Sequence, residues 1–137
     1  MFSHEKLIVY RKSITFVAWT QPLIEELPGK VSARDQLERA STSVPLNIAE
    51  GNGKFSMADR ARFWQIAHGS AVECAACLDV LVARKLIGEE EAIRGKGQLE
   101  EIVNMLMTLL DRLGCRVLEE PPAYGDKIGG LGSIEED

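Results

Sequence analysis

Histidine is close to absent from this chain: His4 and His68 are the only two in 137 residues. Carboxylate-bridged di-metal bundles need two Glu-x-x-His motifs, and neither histidine has a glutamate three positions before it, so that chemistry is excluded. Cysteine is nearly as scarce. Cys74, Cys77 and Cys115 are odd in number, which argues against a disulfide framework. No export signal precedes them: in MFSHEKLIVYRK, the charges of Glu5, Lys6, Arg11 and Lys12 stand where a signal peptide carries its apolar run. Free thiols and a cytoplasmic location are expected. No apolar run approaches the roughly 20 residues of a membrane span, so no membrane partner is expected. Positive charge is in deficit, with 16 Lys and Arg against 21 Asp and Glu and a net charge of −5. Residues after Pro121 supply −3 of that (Asp126, Glu135, Glu136 and Asp137 against Lys127), and −5 less −3 leaves −2 on the body. A body this close to neutral has no long-range field to draw in nucleic acid, so such binding needs a local basic patch. Strand-like alternation, internal repeats and low-complexity runs are missing as well.

What remains is helical. Apolar residues recur at three and four residue spacings through Leu7, Tyr10, Ile14, Val17, Ala18, Ile24 and Leu27, which predicts a helix over about 5–27 with Pro22 as a kink. A second helix is expected over about 34–50, with Leu37, Ala40, Val44, Leu46 and Ile48 inward, and Gly51 and Gly53 supplying the backbone freedom of its stop. Ser56 followed by Asp59 marks the start of a third, over about 57–86, with Phe63, Ile66, Ala67, Ser70, Cys74, Cys77, Leu78 and Leu81 inward. Its middle, AHGSAVECAAC, is small in side-chain volume and admits a close neighbour. A fourth, over about 89–119, carries Leu99, Ile102, Val103, Leu106, Leu109, Leu110, Leu113 and Val117. Four long helices with short connections imply an all-α, antiparallel up-and-down four-helix bundle over residues 1–120, and the Pro/Gly-rich residues 121–137 read as a short flexible tail.

Several chemistries fail on spacing. GNGKFS (51–56) has phosphate-loop residue types, but Phe55 separates Lys54 from Ser56 and a helix, not a strand, precedes it. Cys74 and Cys77 share a helix face, yet Cys115 and His68 are the only further ligands in view and neither has zinc-site spacing, so core packing is the better reading. A polar set remains: Arg39, Asn47 and Glu50 on the second helix, Ser70 and Glu73 on the third. Pro45 removes the helical donor to the Ser41 carbonyl and disturbs that of Thr42, and a bent helix recruits polar partners. Arg39, Asn47, Glu50, Ser70 and Glu73 are thus expected to form a structural network, with Glu50 or Glu73 pairing to Arg39, Arg62 or backbone donors. A catalytic use of Glu50, Glu73 and His68 ranks well below it, and no cofactor motif supports one.

The run QLERASTSVPLNIAEGNGKFSMADRARFWQIAHGSAVE (36–73) resembles the signature of bacterial four-helix bundle proteins first noticed in intervening sequences of 23S ribosomal RNA genes. That family includes the accessory variability determinant of diversity-generating retroelements. Its pattern is met at Gln36, Leu37, Arg39 and Ala40, at Ser43 to Pro45, at Asn47 to Gly51, at Gly53, Lys54 and Ser56, and at Ala67, Gly69 to Ala71 and Glu73. The resemblance covers about residues 5–117. It implies a homopentameric ring without known enzymatic activity, and a retroelement relative that binds reverse transcriptase and nucleic acid. Two functions are therefore expected in order: a non-enzymatic oligomeric scaffold or adaptor, needing no cofactor; or an accessory protein binding RNA or DNA beside a reverse transcriptase or rRNA. The second would use Arg34, Arg39, Lys54, Arg60 and Arg62. Glu38, where an additional basic residue is common, and a pI of about 5.1 weigh against it.

Overall fold

The chain order of helices fixes the architecture. The computed structural model describes residues 1–115, and the expectation of a flexible tail over 121–137 lies outside them, as does Val117. A 3₁₀ turn at Ser3–Lys6 leads into α1 (Ile8–Glu26), followed by α2 (Ser32–Asn52), α3 (Met57–Ala83) and α4 (Glu89–Arg112). Contacts run α1 to α2, α2 to α3, α3 to α4 and α4 to α1, with no diagonal pair, so the helices stand in chain order round one core. This is the up-and-down bundle, and no strand occurs among the described residues.

In α1 the core stripe is Val9, Ser13, Phe16, Thr20, Leu23 and Ile24, while Ile14 and Ala18 are exposed. The apolar pattern alone placed this face one residue off, because two inward positions are hydroxyls. Ser13 and Thr20 are satisfied within their own helix, each donating to the carbonyl three residues back (Tyr10 and Val17) at 2.7 Å. Such bonds let a polar residue occupy a core position without an orphaned donor.

Chain stops also differ from the sequence reading. Gly53, the residue capping α2, has φ −86° and makes no use of glycine's left-handed freedom. Gly51 is inside the helix and buried, for a steric reason taken up below. The left-handed positions are Lys85 (φ 63°) and Gly114 (φ 88°). At both, the following amide bonds back to the last turn, Leu86 N to Leu81 O at 2.9 Å and Cys115 N to Leu110 O at 3.0 Å. Hence α3 ends at Ala83 rather than 86, and α4 at Arg112 rather than 119.

α2 and α3 form the most intimate pair, and both carry small buried residues, Ala40 and Val44 on α2 and Ala67 and Ala71 on α3, that permit close approach. Leu37, Ile48, Leu78, Leu81, Leu99, Ile102, Leu106 and Leu110 fill the remaining interior. Each such side chain contributes about 1.5–3 kcal/mol by leaving water. Leu46 (63% exposed) and Ile66 (44%) were expected inside and point outward instead. Leu46 lies two residues from buried Val44, about 200° round the helix, and so faces away from the core.

Candidate functional site

The signature residues gather where α2 turns into α3. Ser56 caps α3, its Oγ accepting from Asp59 N at 3.0 Å. That turn brings Trp64 back under α2, where its Nε1–H donates to the Ile48 carbonyl at 3.1 Å. The indole occupies the place where a side chain at position 51 would stand: a Cβ there would lie 2.6 Å from Trp64 Cδ1. Glycine at 51 therefore serves close approach, and Trp64 is the residue that sequence reasoning missed. The signal was available, as a large aromatic 13 positions after a glycine across an antiparallel turn.

One turn of α2 earlier, Asn47 Nδ2 donates to both the carbonyl and the Oγ of Ser43, each at 2.9 Å, and Ser43 Oγ meets Ser70 Oγ at 2.8 Å. This short polar seam crosses the helix pair on either side of Pro45 in the sequence. It joins Asn47 and Ser70 from the expected network through Ser43, which was not among those five residues. Arg39, Glu50 and Glu73 stand outside it. Glu50 pairs with Lys54 at 3.0 Å, one turn along the surface. Arg39 and Glu73 are exposed, with no ion pair within 4.0 Å among the described residues. Water solvates them at less cost than bending two long side chains together.

The five candidate nucleic-acid contacts do not form one patch. Arg34 sits at the start of α2, about 30 Å from Lys54 by helix rise, and its Nε donates to the Ile24 carbonyl at 3.0 Å, closing the end of α1. Arg39 is midway. Lys54, Arg60 and Arg62 do come together, but as a structural cluster. Lys54 Nζ and the Arg62 guanidinium both lie over the Phe63 ring, at 5.0 and 4.7 Å from its centroid. Arg62 approaches Asp59 at 3.6 Å, and Arg60 donates to the carbonyls of Asn52 and Lys54 at 3.4 and 3.0 Å. Beyond them, Phe55 projects fully exposed from the tip of the turn, with Met57 beside it.

The thiols and histidine are perturbed by burial. Cys74 is pushed up to about 12 by loss of solvent, and less by Cys77 and Glu73; burial and then Glu73 push the Cys77 thiol up. Both therefore stay protonated, the form that neither ligates metal nor attacks. Burial lowers the pKa of His68. Among the described residues, no three His, Cys, Asp or Glu side chains gather as a metal site. α3 corrects one expectation: over an 18-residue window it is apolar enough, by length and composition, to cross a membrane. The run-length reading missed it because Glu73 and Asp79 interrupt the apolar residues. Ser70's bond to α2 and the buried Cys74, Leu78 and Leu81 make it a helix of this bundle.

An all-α bundle with a polar seam across one helix pair, and a glycine-seated tryptophan at the turn that joins it, is the class defined by this geometry. The chain belongs to the 23S rRNA-intervening sequence protein family, whose model matches residues 5–108. A solved structure from Bacteroides thetaiotaomicron, a protein of unknown function from the S23 ribosomal protein family, is similar over 75% of this chain and 98% of its own, with 25% identity and a TM-score of 0.71. No curated protein matches the chain.

Proposed function

We propose that this protein is a non-enzymatic, oligomeric scaffold or adaptor of the cytoplasm, with a second copy of itself as its first partner. The observation that carries the reading is the outer surface of α3. Only 33% of its most apolar window is buried inside the bundle, and Ile66, Val72 and Val80 lie exposed along it, with Leu46 exposed on α2. Apolar side chains this exposed along a helix gain by covering one another, and assembly supplies the cover. The resemblance supports a ring of five.

The second reading, an accessory protein binding RNA or DNA, draws on Lys54, Arg60, Arg62 and exposed Phe55. It ranks lower because Glu50, Asp59 and two backbone carbonyls already engage those cations, so phosphate has to compete with bonds in place.

Light scattering on the purified full chain, with 260/280 nm absorbance before and after nuclease, tests both. A nuclease-resistant mass several times 15.1 kDa is expected. A monomer at micromolar concentration refutes the scaffold reading. Mass and 260 nm absorbance lost together with nuclease, and recovered binding that falls steeply with salt, transfer the function to nucleic acid.

A further inference from the structure

Chain direction puts the N-terminal 3₁₀ turn and the end of α4 at one end of the bundle, and a groove of about 410 Å³ opens there between α1 and α4. Its residues divide by level. Lys6 and Arg112 stand at the mouth, one just before α1 and the other the last residue of α4, while Leu7, Ile8, Met105 and Leu109 run inward from them along the two helices. From Arg112 back to Met105 the helix rise is about 10 Å.

The charge of this groove has one sign. No acid lines it, and Lys6 and Arg112 have no ion pair within 4.0 Å among the described residues. Glu5, the acid of the N-terminal turn, is engaged elsewhere: it accepts from Phe2 N at 3.2 Å and lines a separate groove with Tyr10 and Arg11. The first turn of α1 carries no acid either. These two cations therefore differ from Lys54, Arg60 and Arg62, whose charges are already met by Glu50, Asp59 and backbone carbonyls.

We infer that the α1–α4 groove is a binding site for a single-chain amphipathic anion, a carboxylate on a linear alkyl chain, with its head between Lys6 and Arg112 and its chain laid inward along Leu7, Ile8, Met105 and Leu109. The inference goes beyond the scaffold reading and does not depend on it, because α1 stands diagonally across the bundle from α3, whose outer surface carries that reading. Both halves of such a ligand are needed to match the groove. A small inorganic anion leaves the apolar walls wet, and an uncharged hydrocarbon leaves the two cations unused. Nucleic acid matches only the cations, since aliphatic walls offer its bases no aromatic face on which to stack. The volume is that of a small-molecule site, for which about 300–1,000 Å³ with mostly apolar walls and a few placed polar groups is usual. Unbranched, flexible Met105 adapts the wall to the chain.

Calorimetric titration of the purified full-length protein with octanoate, decanoate and dodecanoate at neutral pH, below micelle-forming concentrations, tests it, with decanol as the uncharged control. Decanoate is expected to bind more tightly than decanol, and affinity along the carboxylate series to rise about two- to fourfold per added CH2 until the chain outgrows the groove. The double variant Lys6→Ala/Arg112→Ala changes two exposed side chains and is expected to weaken decanoate about two- to thirtyfold, the range of two exposed ion pairs, with decanol unchanged. Thr108→Trp fills the groove from its α4 wall and is expected to abolish binding of both. Thermal melting by circular dichroism verifies that the variants fold. Wild type that binds none of the chains, or prefers decanol, overturns the inference. Decanoate binding that survives Thr108→Trp places the ligand elsewhere and overturns it too. Sedimentation with phosphatidylglycerol vesicles without any binding of the free chains would assign these side chains to a bilayer surface instead.

Discussion

Replacing Gly51 by alanine isolates the close approach at the α2–α3 turn. Alanine in a helix interior is favoured over glycine by about 0.8–1.0 kcal/mol, and less in a last turn such as this one. Against that gain, the new Cβ would stand 2.6 Å from Trp64 Cδ1, 2.7 Å from Nε1 and 3.1 Å from the Arg60 carbonyl. The indole has little room to withdraw. It is 4% exposed, its N–H is held by Ile48, and the Arg60 guanidinium lies 5.8 Å from its ring. Overpacking costs about 1–3 kcal/mol. Displacing the ring weakens a buried hydrogen bond worth about 1 kcal/mol. The expected net loss is about 1–3 kcal/mol, or roughly 4–12 °C in Tm for a domain of this size. Thermal and urea unfolding followed by circular dichroism reads it, at one fixed protein concentration because assembly contributes to stability. In a Trp64→Leu background the same substitution is expected to be neutral or stabilising, since the obstruction is gone. A Gly51→Ala protein at least as stable as wild type would show that the indole is not seated as described.

Three further outcomes follow from the same geometry. Gly97→Ala meets nothing within 4 Å and is expected to stabilise by about 0.8–1.0 kcal/mol, whereas Gly95→Ala, whose Cβ falls 2.5 Å from Trp19 Cη2 and 2.8 Å from Leu78 Cδ1, is expected to melt earlier. Ser70→Ala breaks the seam to Ser43 and is expected to cost about 1 kcal/mol in urea unfolding, while Arg39→Ala and Glu73→Ala stay within about 0.5 kcal/mol in the unassembled protein. Stability is expected to fall in alkali. The unfolded chain ionises its thiols from about pH 8.5, but Cys74 in the fold holds its proton to about 12. Because the folded value is raised, full stability exists below about pH 8.5 and declines above it by about 1.4 kcal/mol per pH unit for this thiol. Urea midpoints from pH 8 to 10.5 measure the slope, and Cys74→Ala should reduce it to the part contributed by the raised Cys77 thiol.

The bundle was legible in the sequence because long apolar periodicities separated by PGK, GNGKFS and a short link at Ile87 and Gly88 leave few other arrangements. Ser56 capping α3 was legible for the same local reason. Residues whose role depends on a neighbouring helix were not. Ser13 and Thr20 look like surface residues until their hydroxyls are seen folded back onto their own backbone. Gly51 looks like a stop until Trp64 is found against it. The polar network was misjudged at its charged members, since a helix face near the core still has a rim where Arg39, Glu50 and Glu73 reach water. Local pattern reveals which residues are apolar or polar, but only packing reveals where a face ends.

The two tryptophans have an experimental use that follows from how they are lodged. Trp19 fits over Gly95 and Trp64 against Gly51, at opposite ends of the bundle, each in a space that any larger residue would fill. The molecule thus carries one tryptophan per end. Replacing either by phenylalanine leaves a single indole, excited selectively over the two tyrosines, that reports on its own half, so the order in which the ends loosen becomes readable without labels. Coincident transitions would make the bundle one cooperative unit, and separated ones would divide it into two.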